Sequence, residues 1–310
     1  MPVYERGYRH FEGERSLRLL RFVPIAANGV RLAMRSKLFL FLVAFPSHIS
    51  LIVGAVIAYL FFQQLPLMMQ QRGMSPAEMT QASFLFSSAQ TQVGPLLYWT
   101  IQSVQAGLWI PVIGGLLAGR LIAADAQANA LEVYFARPIT RLDYALGKFF
   151  TAFGFLLYVT LVPPVGAWGV ACLFAPNASY FHASKSMAFG LVVNALLISG
   201  VSATLMLGVS SASKKPRFAS ALFVGLMIFS HVASQILLEA IGKPDVYLVS
   251  ITNNFLIVGY RLVSETVVGQ IIQEGVDLPP REHALFVLGG IVLVSIVLFA
   301  RRLRAVEVVR

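Results

Sequence analysis

Cysteine is nearly absent from this chain of 310 residues, and charge is scarce. The single thiol, Cys172, has no partner for an intrachain disulfide, which excludes a disulfide scaffold. Water-soluble domains carry roughly a quarter charged residues, whereas 12% of this sequence is charged and 57% is hydrophobic. Mean hydropathy is +0.74, which excludes an ordinary soluble globular domain. Acids are the scarcer sign, 14 against 24 Lys and Arg. A nucleotide-cradling loop is missing too. Gly147-Lys148 invites that reading, but the G-x-x-x-x-G-K spacing puts Leu142 where glycine is needed, and Phe149 stands where Ser or Thr is needed. No H-E-x-x-H or G-x-S-x-G pattern occurs, so neither a membrane zinc protease nor a common serine hydrolase is supported.

What the chain does have is six apolar runs, at 38–62, 94–118, 149–173, 187–210, 218–241 and 284–300. A helix crossing the hydrocarbon core needs about 20 residues. The last run is 17 residues long, and Arg301 and Arg302 at its end are placed to snorkel outward. Glu239 is the only charged residue in any of the six. The cations sort by side. With both termini in the cytoplasm, segments 1–37, 119–148, 211–217 and 301–310 hold 19 of the 24 Lys and Arg, while the acids divide evenly. That bias is the positive-inside rule. The net charge of +10 is therefore an orientation signal, and nucleic acid is not an expected partner. The expectation is an all-α integral membrane protein with six transmembrane helices and cytoplasmic N- and C-termini. One transmembrane domain, 38–310, would follow a cytoplasmic segment, 1–37, and the first span would serve as its own targeting signal.

Segment 1–37 mixes Leu17, Leu20, Ile25 and Leu32 with Arg15, Arg18, Arg21, Arg31 and Arg35. This predicts one or two short amphipathic helices on the membrane surface, interrupted at Pro24 and at Asn28-Gly29. The outer loop 242–283 holds an apolar stretch, 246–263, too short to span, which reads as re-entrant or interfacial. Met68, Met69, Met74 and Met79 crowd the first outer loop. Thioethers bind soft metals, but no Cys or His stands nearby to complete a site, so no metal centre is assigned.

Polar groups inside apolar runs are costly and belong in the bundle interior. Gln102 and Gln105 share a face of the second run with Tyr98 and Trp109; His231, Ser234, Gln235 and Glu239 form a stripe on the fifth. Gln102, Gln105, His231 and Gln235 either line a translocation path or hydrogen-bond between helices, each such bond contributing about 0.6–2 kcal/mol. Ser199, Gly200, Ser202, Ala203 and Gly208 predict close packing of the fourth run. His48, beside Pro46, reads as a satisfied core histidine at a kink.

The charged insert between the second and third runs is the most informative segment. Residues 125–136 contain no Gly or Pro and much Ala, which favours helix. Arg137-Pro138 ends it. Thr140-Arg-Leu-Asp143 then has capping-box spacing and starts a helix running directly into the third span. An acidic residue followed by Leu131-Glu-x-Tyr-x-x-Arg-Pro-Ile-x-Arg-x-x-Tyr-x-x-Gly-Lys148 resembles the permease subunits of ABC-2 type ABC transporters. Six spans and an amphipathic N-terminal helix extend the resemblance over nearly the whole chain. It implies that 126–136 is a cytoplasmic coupling helix docking on a separate ABC ATPase subunit. The implied coupling residues are Asp125, Glu132, Tyr134, Arg137, Pro138 and Arg141. It further implies ATP and Mg bound by that partner, with no cofactor or catalytic residue in this chain. A second permease copy, lipid contacts, the bacterial inner membrane and export are also expected. The alternative is a non-transporting anchor that passes ATPase motion to a periplasmic partner.

Overall fold

The structure is a computed structural model that describes residues 21–64, 66–68, 100–135, 139–176, 178–263 and 278–304. Long apolar stretches must satisfy their backbone internally in lipid, and these residues do so as helix, with no strand among them. In chain order the helices are α1 (Phe22–Met34), α2 (Lys37–Tyr59), α3 (Thr100–Gln127), α4 (Ala130–Phe135), α5 (Arg141–Phe174), α6 (Ser179–Ala212), α7 (Pro216–Ile241), α8 (Ile251–Val263) and α9 (Arg281–Arg304). Six of them, α2, α3, α5, α6, α7 and α9, are long and apolar enough to cross a membrane. The spans α3 and α6 form the middle of the bundle, each 67% buried over its most apolar window, against 17% for α7 and α9. The weakly buried helices turn large side chains such as Phe229, Ile236 and Phe286 outward, as a helix surrounded by acyl chains does.

Several boundaries differ from the sequence expectation. The second span does not stop at Ala118. It continues through a π turn, Gly119–Ala123, to Gln127, because Leu121, Ile122 and Ala123 are buried and only Arg120 faces outward. Ser210 of α6 secures that turn, its Oγ accepting from the amides of Ile122 at 2.9 Å and Ala123 at 3.0 Å. The expected single helix over 125–136 is broken at Asn129, which takes the left-handed conformation with φ 51°. Asn reaches that region more readily than most residues because its side chain bonds locally. In α1 the expected interruptions do not occur. Pro24 falls in the first turn, where its missing N–H costs nothing, and Gly29 lies against Thr151 where a side chain would collide.

The helix α8 lies within the apolar stretch between α7 and α9. At 13 residues it is about 20 Å long, too short to span. Phe255, Ile257, Val258 and Tyr260 are nonetheless buried. The helix begins beside mid-α7, where Ser230 Oγ accepts from the Ile251 amide at 3.3 Å, and its Gly259 abuts Asn194 near the middle of α6, so α8 packs within the bundle against both helices. The chain turns towards it at Gly242, whose φ of 69° ends α7 while its amide bonds Leu238 O at 2.8 Å. On α6, Ser199, Ser202 and Ala203 are buried and Gly208 packs on Ser295 of α9, but Gly200 meets no neighbour, contrary to expectation.

Candidate functional site

The insert between α3 and α5 is built on one partly buried anion. Asp125, at the C-terminal end of α3, accepts a hydrogen bond from the Tyr144 hydroxyl at 2.7 Å and pairs with Lys148 Nζ, also at 2.7 Å. Tyr144 and Lys148 are four residues apart on α5 and so share one face. The carboxylate and ammonium side chains are only 17% and 11% exposed. Lys148 also stands 5.6 Å from the centre of the Tyr144 ring. Three side chains thus tie the last turn of one span to the first turns of the next.

Hung from this clamp is α4. The ring of Tyr134 lies 5.3 Å from that of Tyr144, and the ring of Phe135 lies edge-on to it at 5.8 Å. Leu131 is buried beneath α4 while Glu132 faces outward. The capping box forms as the sequence predicts. Thr140 Oγ1 accepts from the Asp143 amide at 3.1 Å, and Asp143 Oδ2 accepts from the Thr140 amide at 3.0 Å. Arg141 opens α5 with its side chain exposed. Arg137 and Pro138 lie outside the described residues. Of the expected coupling residues, Asp125 is therefore engaged within the chain, Tyr134 is half-buried against Tyr144, and Glu132 and Arg141 are free to meet another molecule.

Within the bundle, Gln102 and Gln105 are buried completely, at 1% and 0% exposure. Pro164 has no amide hydrogen, so the Thr160 carbonyl one turn earlier lacks its helical partner. Gln102 Nε2 donates to that carbonyl at 3.2 Å and to Leu191 O at 3.0 Å, while Asn194 Nδ2 donates to Gln102 Oε1 at 2.8 Å. Gln105 Nε2 donates to Pro46 O and Ser50 Oγ of α2. These two glutamines join α3 to α2, α5 and α6. His231 and Gln235, by contrast, are exposed on α7, with His231 Nδ1 3.3 Å from Ser250 Oγ and Ser234 buried beside Asn253. Tyr98, Met69, Met74 and Met79 lie outside the described residues. His48 is not in the core. It faces outward, its Nδ1 bonded to Ala44 O at 2.7 Å on its own helix. Sequence reasoning did not single out Asn194, Tyr144 or Lys148 as structural hubs. A lone Asn in an apolar run was the available signal for the first, and the i, i+4 spacing for the other pair.

A family model described as ABC-2 family transporter protein matches residues 23–304, from α1 to the end of α9. The chain belongs to that family. It is a multi-pass membrane protein and a membrane subunit of an ABC transporter, a kind of subunit that works with an ABC ATPase and is not itself the ATPase. No curated protein sequence matches this permease significantly. The matched span includes the Asp125 clamp, α4 and the glutamine network, so all three lie within the transporter subunit itself rather than in an appended segment.

Proposed function

We propose that this permease couples ATP hydrolysis on a separate cytoplasmic ATPase to export across the bacterial inner membrane, with α4 as its coupling helix. The observation that carries the reading is the clamp. A short helix packed on Tyr144 between two long spans can pass a push to both, because Asp125, Tyr144 and Lys148 tie the end of α3 to the start of α5 and Tyr134 and Phe135 rest on that tie. Glu132, Tyr134 and Arg141, with Arg137 and Pro138, form the surface offered to the ATPase; Asp125 acts by positioning that surface. ATP and Mg belong to the partner.

Two permease copies, identical or different, pack against each other around the export path. In this arrangement His231 and Gln235, exposed on α7, are the candidates to line it. Gln102 and Gln105 hold each bundle together instead, since their amide nitrogens donate to carbonyls, and in Gln105 also to the Ser50 hydroxyl, of neighbouring helices.

The test is Glu132→Arg in the permease purified with its ATPase. Loss of ATPase association or stimulation, with membrane insertion intact, is expected. Unchanged stimulation would sink the coupling role of α4. Hydrolysis that moves no compound would instead favour an anchor that transmits motion to a periplasmic partner.

A further inference from the structure

A cavity of about 520 Å³ opens between α1, the C-terminal end of α3 and the first turns of α5. Arg35, Arg120, Lys148 and one acid, Asp125, reach it. Lys148 already neutralises that acid at 2.7 Å. Among the described residues, Arg35 and Arg120 have no ion-pair partner, and both side chains are exposed. The cavity therefore carries a surplus of two guanidinium groups. A planar guanidinium matches phosphate oxygens in paired hydrogen bonds, which makes arginine the better phosphate binder of the two basic side chains.

The remaining walls are mostly apolar, with Ile25 and Leu32 from α1 and Leu117 and Leu121 from α3, joined by the polar side chains of Asn28 and Thr151. Arg35 and Ser36 on the rim lead directly into α2, whose first turns turn Leu38 and Phe41 outward at 63% and 56% exposure. A charged seat thus continues into an outward apolar strip. A soluble anion would use the first and leave the second empty. An amphiphile uses both.

We propose that this cavity seats the phosphate of an anionic phospholipid, held by Arg35 and Arg120, with its acyl chains along Leu38 and Phe41. The lipid bridges α1 to α3 beside the Asp125 clamp. Its binding does not depend on the coupling role of α4.

The experiment uses the full-length chain in neutral detergent, with bound lipid counted by native mass spectrometry. Phosphatidylglycerol, phosphatidylcholine and inorganic phosphate are titrated separately. A basic residue near an anionic lipid surface contributes about 1 kcal/mol. Arg35→Gln with Arg120→Gln should therefore weaken phosphatidylglycerol binding about thirty-fold, and Arg35→Lys with Arg120→Lys should recover part of it. Lys214→Gln with Arg217→Gln, exposed cations outside the cavity, should leave binding unchanged. Equal weakening by that control pair would mean diffuse attraction and overturn the site. So would phosphatidylcholine binding as tightly as phosphatidylglycerol. Inorganic phosphate displacing the lipid at equal concentration would make this a soluble-anion site and overturn the lipid assignment. Loss of the lipid on ATPase assembly would give the surface to the protein partner and overturn that assignment too.

Discussion

Replacing Lys148 with methionine removes the cation that neutralises Asp125 and leaves a carboxylate 17% exposed beside the buried Tyr144 ring. Breaking a fully buried pair on one side costs about 3–5 kcal/mol. Two features lower that here. Both charged side chains keep some exposure, 11% and 17%, and the Tyr144 hydroxyl still donates to Asp125. The expected loss is about 2–3 kcal/mol, at or below the lower end of the range for a fully buried pair. Removing both charges has a different outcome. Asp125→Asn with Lys148→Met keeps the volume of both side chains and an acceptor for Tyr144, and a neutral replacement of a buried pair is often harmless. The double variant should therefore lie within about 1 kcal/mol of the parent, giving a coupling energy of at least about 1 kcal/mol in a double-mutant cycle with Asp125→Asn as the other single variant. Equilibrium unfolding in mixed micelles measures it. A coupling energy near zero would refute the clamp, because it would mean that water already screens the pair. The same variants separate stability from mechanism. On the proposed reading, the double variant folds normally yet stimulates the ATPase less than the parent does, since the neutral contact yields where the ion pair resists.

Gln102→Leu leaves the Thr160 and Leu191 carbonyls and the Asn194 amide without their shared partner. Interhelical hydrogen bonds in membranes average about 0.6 kcal/mol, so three together predict a loss of about 2 kcal/mol. The same unfolding measurement checks it, and an unchanged midpoint would show that the network closes without Gln102. Ser210→Ala removes the acceptor for the Ile122 and Ala123 amides at the π turn. The expected cost is about 1–2 kcal/mol, with faster amide exchange confined to those two residues; uniform exchange rates would contradict the local role of Ser210.

Much of this fold is legible in the sequence because lipid imposes one rule on every span. Each run must be apolar and long, so hydropathy and cation bias find the helices without help from tertiary packing. The capping box at Thr140 and Asp143 is legible for a similar reason, being a local contact between residues three apart. Where the sequence misleads, the deciding contact is distant along the chain. Nothing near Gly119 says that the helix continues through a π turn, because Ser210, nearly ninety residues away, supplies the acceptor that makes it possible. Asn28-Gly29 looks like a break until Thr151 is placed against it. Asp125 looks like a surface acid on a coupling helix because Lys148 lies on the far side of a Pro break and a new helix start.

The same distinction bears on how motion passes through the permease. The insert is short, but its three attachments differ in kind. The Asp125 clamp is electrostatic and joins α3 to α5; the Tyr134 and Phe135 contacts on Tyr144 are apolar and join α4 to α5; the capping box fixes where α5 begins. All three converge on the first turns of α5, which runs unbroken for 34 residues in all, through Pro163-Pro164. Gln102 bridges α3 to α5 and α6 again at that proline pair. On the coupling reading, α3 and α5 are thus pinned together twice, at the clamp and at the prolines. A push on α4 would then tilt the stretch between the pins as one body. The prolines are where α5 can bend, since Thr160 O is held by a side chain there instead of by the helix ladder. Gln102 then belongs to the hinge, and weakening it should loosen the bend without touching the surface offered to the ATPase.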